Sequence, residues 1–329
     1  MTKQISQPDR THSTHFAAFS RSGTAGVRRS WADQGLVAMM LAAALWTLSP
    51  MAQAATTTVE AVQVPAWVER HGDRRPAQPG QLLRDGDKAL TAAGSRMLLR
   101  ISDRSVIKLG EQTELVLQQV ASTQPVAAGP KEVKAALRLV TGVFRYATDY
   151  TSKALGNKRE LNLELATATV GIRGTDFWSM TDAEHDAVCI FEGAVEVVRA
   201  GQPGIALEKP GAFWVVFTGQ AEQPAGQATP DQLAKFIGQA EMSPGQGVLL
   251  EGGRWRVVVA LLPGVSDAAT LRERLRTAGY PAELIARGGR HEVRINQFAT
   301  REDAQTVLAR LQATIAAGVT GGRIALASE

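Results

Sequence analysis

The sequence predicts two domains of different class, an all-β domain followed by a smaller α+β domain, and three observations carry the prediction. Between about Val59 and Thr218 apolar residues recur with period two in short runs broken by Gly, Asp and Pro. From Gly219 to Gly253 the composition shifts to Gln, Gly, Ala, Pro and Glu. After Arg254, strand-like runs alternate with segments whose apolar residues return every three to four positions. A chain of 329 residues, 44% hydrophobic, suffices for two packed cores.

Residues 1–54 stand apart. A polar lead precedes the uncharged run "LVAMMLAAALWTL" from Leu36 to Leu48, which is shorter than the roughly 20 residues a membrane span needs. Pro50 breaks the run and Ala52-Gln53-Ala54 supplies a small-x-small pattern, so residues 1–54 read as a cleaved secretory signal and the mature protein as periplasmic. The alternative is an uncleaved inner-membrane anchor through residues 36–48. The segment holds five of the 36 basic and two of the 32 acidic residues, leaving 31 against 30 in the mature chain. A near-neutral exported chain gives no charge argument for nucleic-acid binding. Cys189, the single cysteine, has no partner for an internal disulfide and sits in the apolar run "AVCIF", which reads as core.

The β domain, residues 55–218, is assembled from the runs "RMLLRISD", "SVIKLG", "TELVLQQV", "ALRLVTGVFRYA", "ELNLELATATV", "AVCIFEGAVEVV" and "GAFWVVF". Leu161, Leu163 and Leu165 alternate with Asn162 and Glu164, as a half-buried strand requires. "RDGDK", Arg84 to Lys88, has the Asp-Gly chemistry of a tight turn, and Ala121 to Ala135 reads as one long loop. Residues 219–253 read as a linker with only a helical turn or two.

In residues 254–327, "RWRVVVALL" reads as a strand. The next segment, "SDAATLRERLRTAG", places Leu271, Leu275 and Ala278 on one helical stripe, with Ser266 or Asp267 as cap and Gly279 as stop. "AELIAR" and "HEVRINQF" flank the Gly288-Gly289 turn. "TREDAQTVLARLQATI" then opens with a Thr300-x-x-Asp303 capping box, and "GRIAL" closes. The order is βαββαβ, the ferredoxin-like arrangement.

"TVGIRGTDF", Thr169 to Phe177, is expected to leave a strand at Val170, turn through Gly171 and Gly174 with φ > 0, and re-enter at a buried Phe177, with Thr175 and Asp176 bonding turn amides. Arg173 would pin that turn or point toward a partner, and the structural role is preferred because no acid, base or nucleophile constellation surrounds it. This stretch, the later "VCIFEGAVEVV" and "LEKPGAFWVV", and the upstream Gly86-Asp87 turn together resemble the FecR family over roughly Trp67 to Gly219. The family is named for a periplasmic regulator of ferric-citrate uptake.

The C-terminal unit resembles the SPOR family of sporulation-related repeats through "WRVVVALL", "AATLRERLRTAGYPAELI" and "EVRINQFATREDAQTVLARL". The resemblance implies binding to peptidoglycan glycan strands stripped of stem peptides, often at division sites. Alternation puts Val257, Val259, Val293 and Ile295 toward the helices and Arg256, Val258, Ala260, Glu292, Arg294 and Asn296 on the open sheet face. Of these, Arg256, Val258, Glu292, Arg294 and Asn296 are the candidate glycan-binding residues.

The resulting expectation is a non-enzymatic envelope protein with peptidoglycan as one partner and an unknown envelope protein as the partner of the β domain. A FecR-type signalling regulator of envelope transport or sigma-factor activity is the alternative; such relays place a folded domain before a membrane helix, and the lead here is short. The βαββαβ order is shared with RNA-recognition modules, but these stack bases on strand aromatics that "HEVRIN" lacks, so no nucleic-acid partner is expected. His71, His185 and His291 have no metal spacing, and neither cofactor, metal nor catalytic residue is expected.

Overall fold

The computed structural model describes residues 53–54, 56–101, 104–123, 132–148, 158–314 and 321–327. The Leu36–Leu48 run and nearly all of the expected signal segment lie outside these. Residues from Pro50 onward form one compact unit. Among the described residues no helix is long and apolar enough to cross a membrane.

Among its described residues the first region is built from strands. They run β1 (Gln53–Ala54), β2 (Thr57–Gln63), β3 (Ala66–Arg70), β4 (Asp73–Pro76), β5 (Leu82–Leu83), β6 (Lys88–Thr91), β7 (Arg96–Ile101) and β8 (Val106–Leu109). Then follow β9 (Glu114–Thr123), β10 (Glu132–Ala147), β11 (Lys158–Glu164), β12 (Thr169–Thr181), β13 (His185–Val198), β14 (Ile205–Leu207), β15 (Ala212–Phe217) and β16 (Gly226–Gln227). The loop expected over Ala121 to Ala135 is shortened at both ends, because β9 extends to Thr123 and β10 begins at Glu132.

β10 is the organising strand. Its first half pairs with β9 and, in parallel, with β11; its second half pairs with β8 and β12. Leu137 and Leu139 in its first half, and Phe144 and Tyr146 beyond the register shift at Thr141, are buried. Each such apolar side chain contributes about 1.5–3 kcal/mol on leaving water.

The segment 219–253, read above as a linker, is structured. It holds helix α1 (Pro230–Ala240) and strand β17 (Val248–Leu250). The helix begins in a capping box between Thr229 and Gln232 and has Pro at its start. It lays Phe236 flat on Trp178 at 4.1 Å between ring centroids and on Phe213 at 5.6 Å. Just beyond it, Glu241 accepts from Lys108 at 2.5 Å and Arg145 at 2.8 Å. The segment folds because these contacts are tertiary, between residues that are distant in sequence.

The C-terminal unit comprises β18 (Trp255–Leu262), α2 (Val265–Thr277), β19 (Ala282–Arg287), β20 (Arg290–Phe298), α3 (Arg301–Thr314) and β21 (Arg323–Leu326). The ladders run β21–β18–β20–β19, all antiparallel. β17 pairs with β2 through Val248–Gln63, Leu249–Val62 and Leu250–Ala61, and with β20 through Leu249–Phe298. One strand therefore joins the ladders of both domains, and one apolar core runs from Val59 and Trp214 through Leu249 to Val257, Leu275 and Leu311.

Backbone and glycine contacts complete the join. Asp303 makes the expected reciprocal cap with Thr300, and its other oxygen, Oδ1, accepts from the Gly247 and Val248 backbone N–H groups, both at 2.9 Å. Gly279, at φ +86°, ends α2 where a Cβ would lie 2.7 Å from the Trp67 ring, and the Trp67 indole N–H donates to the Thr277 carbonyl at 3.2 Å. The α2 cap differs from expectation: Gly264 occupies the position, with no side-chain cap bond.

Candidate sheet face and turn

The "TVGIRGTDF" stretch is strand, not turn. Thr169 to Thr181 is continuous β12, and Gly171 sits in ladder register with Asn162 of β11 and Glu196 of β13 without positive φ. The expected reversal is replaced by register shifts between Arg173 and Phe177. Bulges change strand direction without ending the ladder. Thr175 is fully buried and donates through Oγ1 to the Ala194 carbonyl at 2.9 Å. Asp176 takes two bonds from Arg145, at 3.0 and 2.8 Å, and Arg145 also lies 5.0 Å over the Phe191 ring. Phe177 is buried against Phe144 and Tyr146. The side chain of Arg173 and the surroundings of Gly174 lie outside the described residues.

The "RDGDK" stretch does turn. Gly86 takes φ +86°, and Asp87, almost fully buried, accepts two bonds from Arg70 at 2.7 and 2.6 Å and one from the Arg84 N–H at 2.8 Å. Burial pushes the Asp87 carboxyl up, but the Arg70 guanidinium and the Arg84 N–H outweigh it and hold the group below the usual carboxylate range. Cys189 is buried in the core, and desolvation pushes its thiol up to about 12, which removes it from nucleophilic chemistry.

On the C-terminal sheet, ladder register groups Arg256, Val258, Glu292 and Arg294 on the side away from the helices. Val258 faces Arg294 on one side and Arg323 on the other, while Val257 faces Ile295 among the core residues. A register shift between Val258 and Ala260 leaves both Val259 and Ala260 in the core, so Leu261, not Ala260, continues the outer face opposite Glu292. The neighbouring β19 adds Glu283 and Ile285 in register with Arg294 and Glu292.

This face is polar and charged but only partly open. Arg256, Val258 and Glu292 are 5%, 2% and 1% exposed, so three of the five candidates present little surface. Glu292 lies 3.6 Å from both Arg287 and Arg294. Arg256 reaches the Ala327 carbonyl at 3.3 Å, and its Nε and Nη2 have no hydrogen-bond partner among the described residues. Arg294 and Asn296 remain accessible at its edge, both directed at Glu283: Asn296 donates to it at 2.6 Å and Arg294 lies 3.6 Å away. Leu261 and Ile285 are exposed beside them. Glu283, Leu261 and Ile285 escaped the sequence reading. The alternation of "AELIAR" was the available signal for Glu283 and Ile285, whereas Leu261 depends on the bulge. Among the described residues no three His, Cys, Asp or Glu side chains form a metal-binding group.

Comparison with curated proteins found no match. Two crystal structures of a candidate anti-sigma factor from Parabacteroides distasonis are similar at a TM-score of 0.35 each. The first has 15% identity over 46% of this chain and 64% of that one, and the second 13% over 70% and 91%. This chain thus spans slightly under two thirds of the first. The family model described as FecR protein matches residues 87–196 and the model described as SPOR domain matches residues 251–321, so the chain carries a FecR domain followed by a SPOR domain.

Proposed function

We propose that this chain is a non-enzymatic cell-envelope protein that docks on peptidoglycan glycan strands poor in stem peptides through the outer face of its SPOR sheet. The observation that carries the reading is the SPOR match over the unit whose accessible face holds Arg294, Asn296 and Glu283 beside exposed Leu261 and Ile285. A neutral glycan offers hydroxyls to such donors and acceptors and C–H faces to such an apolar strip. We read the β21–β18–β20–β19 ladder as ferredoxin-like, residues 55–218 and 254–327 as the two domains, and residues 1–54 as the signal that carries the chain to the periplasm, with retention through residues 36–48 as the alternative.

The FecR-like region, in this reading, presents its surface to another envelope protein, with Gly171, Arg173, Gly174 and Thr175 belonging to its framework. Both matched families are binding or regulatory in kind, which agrees with the lack of a catalytic assignment. The test is co-sedimentation of the chain with peptidoglycan sacculi before and after an amidase removes stem peptides. Pelleting should rise after amidase and fall severalfold in an Arg294→Ala/Asn296→Ala variant. Equal pelleting of variant and parent, or none in any condition, would sink glycan recognition by this face. The FecR match itself supports a second reading, a regulator of envelope transport or sigma-factor activity. Under it, deleting the chain should change transcription of a transport operon, and the Arg294→Ala/Asn296→Ala variant should restore it as well as the parent does.

A further inference from the structure

We propose that the cleft between β4 and α2, where the two domains meet, binds a phosphate-bearing ligand. The cleft has a volume of about 500 Å³ and brings Arg74 and Arg75 from β4 opposite Arg272 and Arg276 from α2, with Asp73 and Glu273 as the acids among its lining residues. That volume falls within the range of small-molecule sites. Four guanidiniums meet the two lining carboxylates and the Glu69 carboxylate that Arg74 bonds, which leaves a surplus of one positive charge.

The arginines are not used up by the fold. Arg74 gives both its bonds to one oxygen of Glu69, at 3.1 and 3.0 Å; Arg75 bonds one oxygen of Asp73 at 2.8 Å, and Arg272 one oxygen of Glu273 at 2.9 Å. A guanidinium has five N–H donors, so each pair leaves several free. The Arg75–Asp73 and Arg272–Glu273 pairs are solvent-exposed and hold by about 1 kcal/mol or less, weak enough for an incoming anion to share or displace them, whereas Glu69 beside Arg74 is largely covered. Arg276 is half-buried and has no acidic partner among the described residues.

Helix-dipole complementarity accounts for a cation near the C-terminal end of α2. It does not account for two more arriving on β4, about 200 positions earlier in the sequence. Bringing them together costs Coulomb repulsion at a place where the domains must dock, and a bound dianion offsets that cost. The Trp67 bond to the Thr277 carbonyl and the tight Gly279 contact tie the end of α2 to the β3–β4 hairpin, so the two elements that carry the arginines keep their spacing. Arginine forks match phosphate oxygens bidentately, and donors converging from two elements on one cleft suit the several oxygens of a phosphate monoester.

A soluble phosphate ester and a phospholipid headgroup share this chemistry, and the experiment separates them. The full chain is titrated with pyrophosphate at low salt, following the unfolding temperature and the tryptophan emission to which Trp67 contributes, and in parallel with vesicles of phosphatidylglycerol in phosphatidylcholine. We expect saturable stabilisation by pyrophosphate that weakens at least tenfold in Arg75→Ala/Arg276→Ala and is unchanged in Arg100→Ala, an exposed arginine elsewhere on the β region. Vesicle binding that pyrophosphate competes away and the double variant loses assigns a headgroup; saturable pyrophosphate binding without it assigns a soluble ester. Pyrophosphate binding that never saturates, that survives the double variant, or that Arg100→Ala weakens equally would overturn the proposal, as would vesicle binding alone that the double variant retains.

Discussion

β11 and β17 are both short strands, yet only one of them is visible in the sequence. β11 carries Leu161 and Leu163 inward and Asn162 and Glu164 outward, and its ladder partners on both sides belong to the same domain. β17 is three residues long, lies in a stretch rich in Gly, Gln and Pro, and pairs with β2 of one domain and β20 of the other. A strand serving one core prints that core's period in its side chains. β17 buries Val248 and Leu249, but three apolar residues are too few to display a period, so its sequence carries little trace of the task.

Four substitutions sharpen this comparison. The largest effect is expected at Asp303, whose carboxylate serves the α3 cap and the backbone of Gly247 and Val248 together. Asp303→Ala leaves buried N–H groups without acceptors and should cost about 3–5 kcal/mol in urea unfolding. An effect under about 1 kcal/mol would mean that the join does not depend on it.

Next is Asp87 in the β region, where Asp87→Asn should cost about 2–3 kcal/mol, less than for a fully enclosed pair because Arg70 is 35% exposed. Its carboxyl is held below the unfolded value, so its contribution is present in full above about pH 4 and is lost as pH falls through the lower folded value. Urea midpoints measured from pH 6 down to pH 2 should fall more steeply for the parent than for Asp87→Asn; parallel curves would remove Asp87 from the acid response.

Gly279→Ala follows at about 2 kcal/mol, from the positive φ and the 2.7 Å approach to Trp67, and its signature should be a shift in tryptophan emission as well as in stability. Thr229→Ala, at the exposed start of α1, should cost about 1 kcal/mol, read from the same urea curves.

Much of the architecture was legible. Leu161 to Leu165, the Gly86-Asp87 turn, the Leu271 and Leu275 stripe and the Thr300–Asp303 cap each express a local rule in local residues, and each is found. The misses share a cause. Gly171 looks like a turn residue, but ladders on both sides hold it extended. α1 looks like a fragment of linker because the surface it covers, Trp178 and Phe213, lies upstream in other runs. On the SPOR sheet a strict alternation was assumed, and one bulge at Val259 was enough to exchange Ala260 for Leu261 on the outer face. The burial of Arg256 and Glu292 could not be read from period at all, since it depends on neighbours from other strands, Arg287 beside Glu292 and Ala327 beside Arg256.

The central structural claim is that β17, Asp303 and the Gly279 contact make the FecR-like and SPOR regions one cooperative body. The most direct test is calorimetric unfolding of the full chain beside Asp303→Ala. We predict one transition for the parent, with calorimetric and van't Hoff enthalpies in agreement, and two separated transitions for the variant. Two transitions in the parent would contradict the account, and would mean that the shared strand joins the domains in space without joining their stability.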